Sequence, residues 1–134
     1  MITVKSEYLG ELRTQAEHVK SGNHFQTDAP VDNNGKGETF SPTDTVAAAL
    51  GSCMMTVMAI AGEKKGLNMD GMRLETTKIM SAEPRRISRL KVDFFWDDCP
   101  VSDQEKEWLK DIGRNCPVAL SLHPELKQEI TFHF

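Results

Sequence analysis

Alternating apolar and polar residues predict strands over the first third of the chain. Three short segments, 2–8, 13–20 and 24–27, are separated by Gly10 and by the Ser21-Gly22 pair. Short strands with turns between them are typical of an antiparallel meander. The stretch DAPVDNNGKG at 28–37 collects Asp, Asn, Gly and Pro, so it predicts a loop at the rim of any site.

The second half of the chain predicts three further strands. Segments 71–80 and 87–97 are joined by a turn at 81–86, and segment 129–134 alternates again at the end. The clearest period of two places four apolar side chains on one face, namely Leu90, Val92, Phe94 and Trp96. We therefore expect a sheet with one face on a core.

A long central helix has the clearest boundaries in the sequence. Ser41 can cap its start, Pro42 suits the first helical position, and Asp44 is a shorter stand-in for the glutamate of a capping box. The helix is expected to end near residue 65, where Gly62 and Gly66 supply stop signals.

The middle of this helix, residues 45–62, carries no charge and reaches the lower limit for a membrane span. Eleven of these eighteen residues are Ala, Gly, Ser, Thr or Cys, and three charged residues follow directly. We therefore expect a buried helix and no membrane contact. Apolar residues occupy all its faces, and one chain's sheet covers only one of them, so we predict a homodimer.

Two helix signals follow residue 100. Ser102 and Glu105 form a capping box that opens an amphipathic helix. Pro117 breaks this helix, and a short helix is expected to restart through residues 118–122 with Cys116 at its cap. Together with the strands and the central helix, these elements predict an α+β fold.

Length and composition predict one globular domain over residues 1–134, with 27% charged and 39% hydrophobic residues. A formal charge of −4 provides no basic surface for nucleic acid, so small molecules or proteins are the expected partners. An odd number of cysteines and no leader pattern predict a cytoplasmic protein with reduced thiols. The four histidines are isolated, so no metal site is expected.

Two of the three cysteines are candidates for chemistry. Cys53 follows two small residues on the long helix, which leaves space for a ligand or only permits close packing. Cys116 at a helix cap faces unpaired N–H groups and a positive dipole end, which favour thiolate, but a structural cysteine at a kink fits equally. Cys99 follows two aspartates and is interpreted as a passive loop thiol.

Two motifs carry a family resemblance. The run SPTDTVAAALGSC at 41–53 resembles the signature of the OsmC/Ohr family, and so does NCPVA at 115–119. With the order of the strands, the resemblance covers essentially the whole chain. It implies an OsmC-like α+β fold of antiparallel sheets and a long buried central helix, in an intertwined homodimer with an active site at each side of the interface.

The resemblance also implies a thiol-dependent peroxidase for organic hydroperoxides. Cys53 would attack the peroxide, Cys116 would resolve the sulfenate to a disulfide, and Arg13 would stabilise the Cys53 thiolate. Met54 and Met58 would form an apolar wall of the substrate pocket. No bound cofactor is implied, only an external dithiol reductant or a reducing partner protein. For Arg13 an exposed turn charge is the alternative interpretation.

One position departs from the family pattern. The stricter peroxidases have a glutamate that holds the arginine, and this chain has Thr43 there. Asp44 is adjacent but points about 100° away around a helix. This departure keeps open a family member that binds a small apolar or thiol-bearing ligand without efficient turnover. A purely structural module would leave the two cysteines unexplained.

Overall fold

The computed structural model describes all 134 residues and shows an α+β fold with two three-stranded sheets and one long helix. The chain divides into two compact units, residues 1–46 and 47–134. Their boundary falls within the long helix. The single-domain interpretation stays a prediction.

The first unit contains an antiparallel sheet in the order β1-β2-β3, which confirms the predicted meander. Its strands are β1 (Val4–Gly10), β2 (Arg13–His18) and β3 (His24–Asp28). Most of the sheet is exposed, and Ala16, Thr27 and Asp28 are its buried side chains. Because β3 extends to residue 28, the loop predicted from that residue begins one position later.

Two tight segments complete the first unit. Glu11 and Leu12 connect β1 to β2 with φ angles of 54° and 63°, in the left-handed region that residues other than glycine rarely occupy. The loop after β3 contains a short 3₁₀ helix, Val31–Asn33. Gly35 is required in this loop because a Cβ there would lie 1.6 Å from the Ala29 carbonyl oxygen.

The long helix α1 spans Pro42–Lys64, within one residue of the predicted end. The Ser41 hydroxyl accepts a hydrogen bond from the Asp44 backbone N–H (3.1 Å), and the Asp44 carboxylate accepts one from the Ser41 N–H (2.9 Å). The predicted cap is thus confirmed. By length and hydropathy α1 could cross a membrane, but it is a core helix, with Leu50, Met54 and Met58 fully buried.

The second unit contains a sheet in the order β4-β5-β6, with β4 (Arg73–Ala82), β5 (Arg85–Phe95) and β6 (Lys127–His133). The predicted alternation is confirmed. The even-numbered apolar residues of the central segment are buried, namely Leu90, Val92, Phe94 and Trp96.

The prediction of purely antiparallel sheets is wrong for this second sheet. Strand β6 pairs with β5 in parallel, whereas β4 and β5 are antiparallel. Two helices, α2 (Asp103–Arg114) and α3 (Pro117–Ser121), lie between β5 and β6 in the chain. This crossover connection brings the chain back to the starting end of β5, so the next strand runs in the same direction.

Both helix caps predicted in this region are present. Ser102 and Glu105 form a complete capping box at the start of α2. Cys116 is the N-cap of α3, with Pro117 at the first helical position. The two caps fix where α2 and α3 begin, and Cys116, the cap of α3, is buried in the core.

Candidate functional site

Two cysteines meet inside the second unit. Cys53 lies on α1 and is half-buried, while Cys116 precedes α3 and is 1% exposed. Both are free thiols, and they lie close enough together for the Cys53 side chain to affect the pKa of Cys116. The structure therefore brings together two residues that are separated by more than sixty positions in the sequence.

The position of Cys116 follows from local sequence. Pro117 favours the start of a helix, and the residue before a proline is restricted to extended backbone. Cys116 has this conformation, with φ −67° and ψ 154°. Its Sγ accepts a hydrogen bond from the Ala119 backbone N–H at 3.4 Å. The sulfur is consequently held by a cap bond and cannot rotate freely.

Burial sets the acidity of Cys116. The N–H groups of Ala119 and Val118 favour the thiolate, as expected for a helix cap, but removal from water favours the neutral form more strongly. Burial and then the adjacent Cys53 thiol raise the pKa of Cys116. Burial therefore outweighs the N–H groups that favour the thiolate at this cap, and the raised pKa favours the thiol form of Cys116.

The position that Gly51 leaves open on α1 is filled by side chains of the sheet. A Cβ at Gly51 would lie 2.8 Å from Leu74 Cδ1 and 3.2 Å from Thr76 Oγ1, both on β4. Gly51 thus permits close packing of α1 on the sheet. Of the two interpretations of this small residue, space for a ligand or close packing, the structure shows the second at Gly51. Ser52, on the other hand, is exposed.

The two predicted pocket methionines belong to the core. Met54 and Met58 are completely buried, and a Cβ at Gly113 of α2 would lie 3.1 Å from Met58 Sδ and 3.9 Å from Met54 Cβ. They therefore pack where α1 meets α2. Their role as a substrate wall stays a prediction.

The first unit contains the predicted arginine in a part-buried ion pair. Arg13 Nε and Nη2 donate to the two carboxylate oxygens of Asp28 at 2.7 and 2.9 Å. Nη2 also lies 3.5 Å from Glu38 Oε1. Bonding to Asp28 raises the pKa of Arg13 and lowers the pKa of Asp28. Arg13 is 28% exposed, so the free turn charge of the alternative interpretation does not describe it.

The sequence reasoning missed Asp28. Composition predicts a loop at this residue, but Asp28 ends β3 directly opposite Arg13. The available signal was the strand pairing itself, because an acidic residue facing a basic one across a hairpin forms a favourable pair.

At the start of α1, Thr43 and Asp44 are engaged in the cap. The Ser41 and Thr43 hydroxyl oxygens share a hydrogen bond of 3.2 Å, and Asp44 exchanges two bonds with Ser41. Neither residue supplies the family glutamate's carboxylate to Arg13. Of the remaining candidates, Cys99 is half-buried in a loop, and no cluster of three or more metal-binding side chains is present.

Comparisons with known proteins agree with this fold. The model of the family described as OsmC-like protein matches residues 35–131. A crystal structure from Psychrobacter arcticus 273-4, provisionally described as an osmotic stress induced and detoxification response protein, is 41% identical. It superposes with a TM-score of 0.95 and covers 99% of this chain and 96% of its own. No curated protein matches.

More distant structures share the fold alone. An organic hydroperoxide resistance protein OsmC from Legionella pneumophila is 14% identical, with a TM-score of 0.75 over 100% of this chain and 98% of its own. A Vibrio cholerae structure described as an organic hydroperoxide resistance protein, with captopril in one of its active sites, is 8% identical. Its TM-score is 0.75, over 98% of this chain and 92% of that one.

Proposed function

This chain belongs to the OsmC-like protein family, and on that premise we propose that it is a thiol-dependent peroxidase that reduces organic hydroperoxides. The observation that carries the proposal is the pair of free thiols, Cys53 and Cys116, which lie near one another within the second unit. The two thiols differ in exposure. The more exposed Cys53 can react with the substrate, and the buried Cys116 can then react with the oxidised Cys53.

The proposed reaction has two steps in the protein. The Cys53 thiolate attacks the terminal oxygen of ROOH, the O–O bond breaks, and the alkoxide takes a proton to leave as ROH. Cys53 is oxidised to a sulfenic acid by two electrons and the peroxide is reduced. Cys116 then attacks the Cys53 sulfur, which forms a disulfide and releases water.

The order of the two sulfurs follows from burial. Cys53 is half-buried and can be reached, whereas Cys116 is 1% exposed and its pKa is raised by burial. A protonated, inaccessible thiol is a poor first nucleophile toward a bulky peroxide. Once Cys53 is a sulfenic acid, its sulfur already lies beside Cys116. This proximity favours the attack of Cys116, although its raised pKa makes the thiolate scarce. An external dithiol reductant then regenerates both thiols.

For the thiolate of Cys53 we propose Arg13 as the cationic partner, as the family resemblance implies. A thiolate removed from water requires a nearby positive charge. We also propose the homodimer and the cytoplasmic location that were expected from the sequence. The exposed apolar residues of the first sheet and of α1, such as Phe25 and Ile60, support the dimer, since large apolar patches mark interfaces.

A second function, binding of a small apolar or thiol-bearing ligand without efficient turnover, is favoured by Thr43. The carboxylate that the stricter peroxidases present at that position is missing. The ligand-bound Vibrio relative has captopril in an active site, so the fold admits a small molecule there.

One experiment separates the two functions. The reduced protein is mixed with one equivalent of cumene hydroperoxide, and the thiols are mapped by mass spectrometry after seconds to minutes. We expect a Cys53–Cys116 disulfide, with Cys99 unmodified. In the matched variants, Cys116→Ser should accumulate oxidised Cys53, and Cys53→Ser should give no reaction. Three free thiols after several minutes would rule out the peroxidase and leave the binding function.

A further inference from the structure

Gln128 is a polar residue on the core side of the second sheet. It pairs with Leu90 in the parallel register of β5 and β6, and the next residues on the same face of β6 are Ile130 and Phe132. Leu90 is fully buried, so this face lies against the core. An apolar side chain is the ordinary choice at such a position, and a polar one requires a hydrogen-bond partner there.

The hydrogen-bond partner of Gln128 is the backbone of α3. Its Nε2 donates to the Ala119 carbonyl oxygen at 3.0 Å. The N–H group of the same alanine donates to Cys116 Sγ at 3.4 Å. Ala119 is buried, so both bonds are formed away from bulk water. The sheet is therefore connected to the sulfur through the backbone of one residue, which β6 holds at its carbonyl and which holds the thiol at its N–H.

Helix α3 is too short to fix its own position. It has five residues, whereas isolated helices shorter than about 12 residues are marginal in water. The bond from the Leu120 N–H to the Cys116 carbonyl (3.1 Å) lies within the segment and does not connect it to the sheet. The carbonyl groups of a final helical turn also lack partners inside the helix. Gln128 satisfies one of these carbonyls from β6 and anchors the segment there.

We propose that Gln128 is a positioning residue for the second step of the reaction: it anchors the Ala119 backbone and thereby holds the Cys116 sulfur for attack on oxidised Cys53. The inference rests on the proposed function, in which Cys116 resolves the Cys53 sulfenic acid. That attack forms the S–S bond and breaks the S–O bond of Cys53, and the Cys116 proton leaves with the hydroxyl as water. Gln128 acts through Ala119 and takes no part in these bond changes.

The anchor has a different effect on each of the two steps. The Ala119 N–H favours the thiolate of Cys116, against the burial that raises its pKa. Without the anchor, the Ala119 backbone can move away from the sulfur, which lowers both the thiolate population and the accuracy of its placement. The first step, attack of Cys53 on the peroxide, uses neither property of Cys116. Loss of the anchor should therefore slow the second step alone.

The test resolves the two steps in Gln128→Met in the full chain. Methionine is an unbranched side chain like glutamine and has no N–H donor. The reduced protein is mixed with one equivalent of cumene hydroperoxide and stopped with dimedone, and mass spectrometry follows oxidised Cys53 and the Cys53–Cys116 disulfide. We expect Cys53 to be oxidised at the wild-type rate. The disulfide should form about two- to tenfold more slowly, the effect of one lost hydrogen bond.

A second measurement needs no peroxide. In a Cys53→Ser, Cys99→Ser background, iodoacetamide can label Cys116 alone, and labelling requires its thiolate. Adding Gln128→Met should move the pH midpoint of labelling upward, because the Ala119 N–H no longer stays at the sulfur. Gln128→Leu is a second variant without a donor, and it should change both measurements in the same direction.

Two control variants separate anchoring from a general structural effect. Gln104→Met makes the same substitution at an exposed glutamine of α2. Glu125→Ala removes the ion pair of Glu125 with Arg86 (3.0 Å), which ties the connection between α3 and β6 to β5 but does not involve Ala119. Both should keep the wild-type rates and midpoint. Thermal melts by circular dichroism verify that each variant is folded.

The inference and the proposed function fail in different ways. A wild-type protein that does not consume peroxide overturns the proposed function, and the labelling measurement then decides whether Gln128 positions Cys116. A higher midpoint in Gln128→Met and Gln128→Leu supports the inference, and a wild-type midpoint in the folded variants overturns it. Where peroxide is consumed, unchanged disulfide formation overturns it as well. So do equal slowing of both steps and an equal effect of Glu125→Ala.

Discussion

At the scale of single residues, Cys116 shows how two effects compete at one atom. A helix N-terminus offers N–H groups that stabilise a thiolate, and Ala119 N–H does reach the sulfur at 3.4 Å. Complete burial opposes ionisation more strongly, because a charged sulfur loses its hydration. Position in the sequence indicates the first effect, while the second depends on what packs around the cap.

This competition predicts the pH dependence of Cys116 labelling. In a Cys53→Ser, Cys99→Ser variant only Cys116 can react with iodoacetamide, and labelling requires the thiolate. Because burial is the largest cause of its raised pKa, the midpoint of the rate against pH should lie higher in the native protein than in urea. The comparison uses midpoints, since limited access lowers the rate equally at every pH. A native midpoint at or below that in urea would contradict the burial argument.

At the scale of elements, the packing of α1 on β4 depends on Gly51. Glycine lowers helix stability by about 1 kcal/mol relative to alanine. Here the missing side chain makes room for Leu74 and Thr76, whose atoms would lie within 3.2 Å of a Cβ. The helix therefore gives up intrinsic stability at this position in exchange for closer contact with the sheet.

Substitutions at two neighbouring positions test this exchange. Gly51→Val should destabilise the protein by about 1–3 kcal/mol, the usual cost of overpacking, measured by urea unfolding. Ser52→Ala is the matched control on the exposed side of the same turn and should stabilise by about 0.5 kcal/mol through helix propensity. If Gly51→Val were as stable as the wild type, the close packing of β4 on α1 would not explain the glycine.

At the scale of the whole molecule, much apolar surface stays uncovered by the single chain. The buried side of α1 is a stripe, and Ile60 on the same helix is 50% exposed. In the first sheet most side chains are exposed on both faces, including Val4, Tyr8 and Phe25. Such surfaces are uncommon on monomers of this size, and they motivate the proposed homodimer.

Sedimentation velocity tests the assembly. We expect the wild type to sediment with twice the chain mass at micromolar concentration, and Ile60→Glu to shift the protein toward the monomer, because burying an unpaired carboxylate at an interface is costly. Ile79→Glu, on a position of β4 that is 38% exposed and is paired with Arg89 of the neighbouring strand, is the matched control and should remain dimeric. A monomeric wild type would contradict the dimer.

Much of the fold was predictable because its signals are local. Helix α1 begins where Ser41, Pro42 and Asp44 predict, since capping depends on residues three positions apart. From Leu90 on, the central strand buries every second residue, as a period of two requires. The direction of β6 was not predictable from its own residues, because parallel pairing is set by the crossover that precedes it.

The candidate site divides in the same way. The sequence by itself singled out Cys53 and Cys116 as candidates and placed Cys116 at a cap, because motifs and proline restrictions act over a few residues; Arg13 was a candidate through the family resemblance. Only the tertiary structure decided that the two thiols lie near one another, that burial raises the pKa of Cys116, and that Asp28 pairs with Arg13. Contact, desolvation and pairing across strands depend on residues distant in the chain, and no local pattern specifies them.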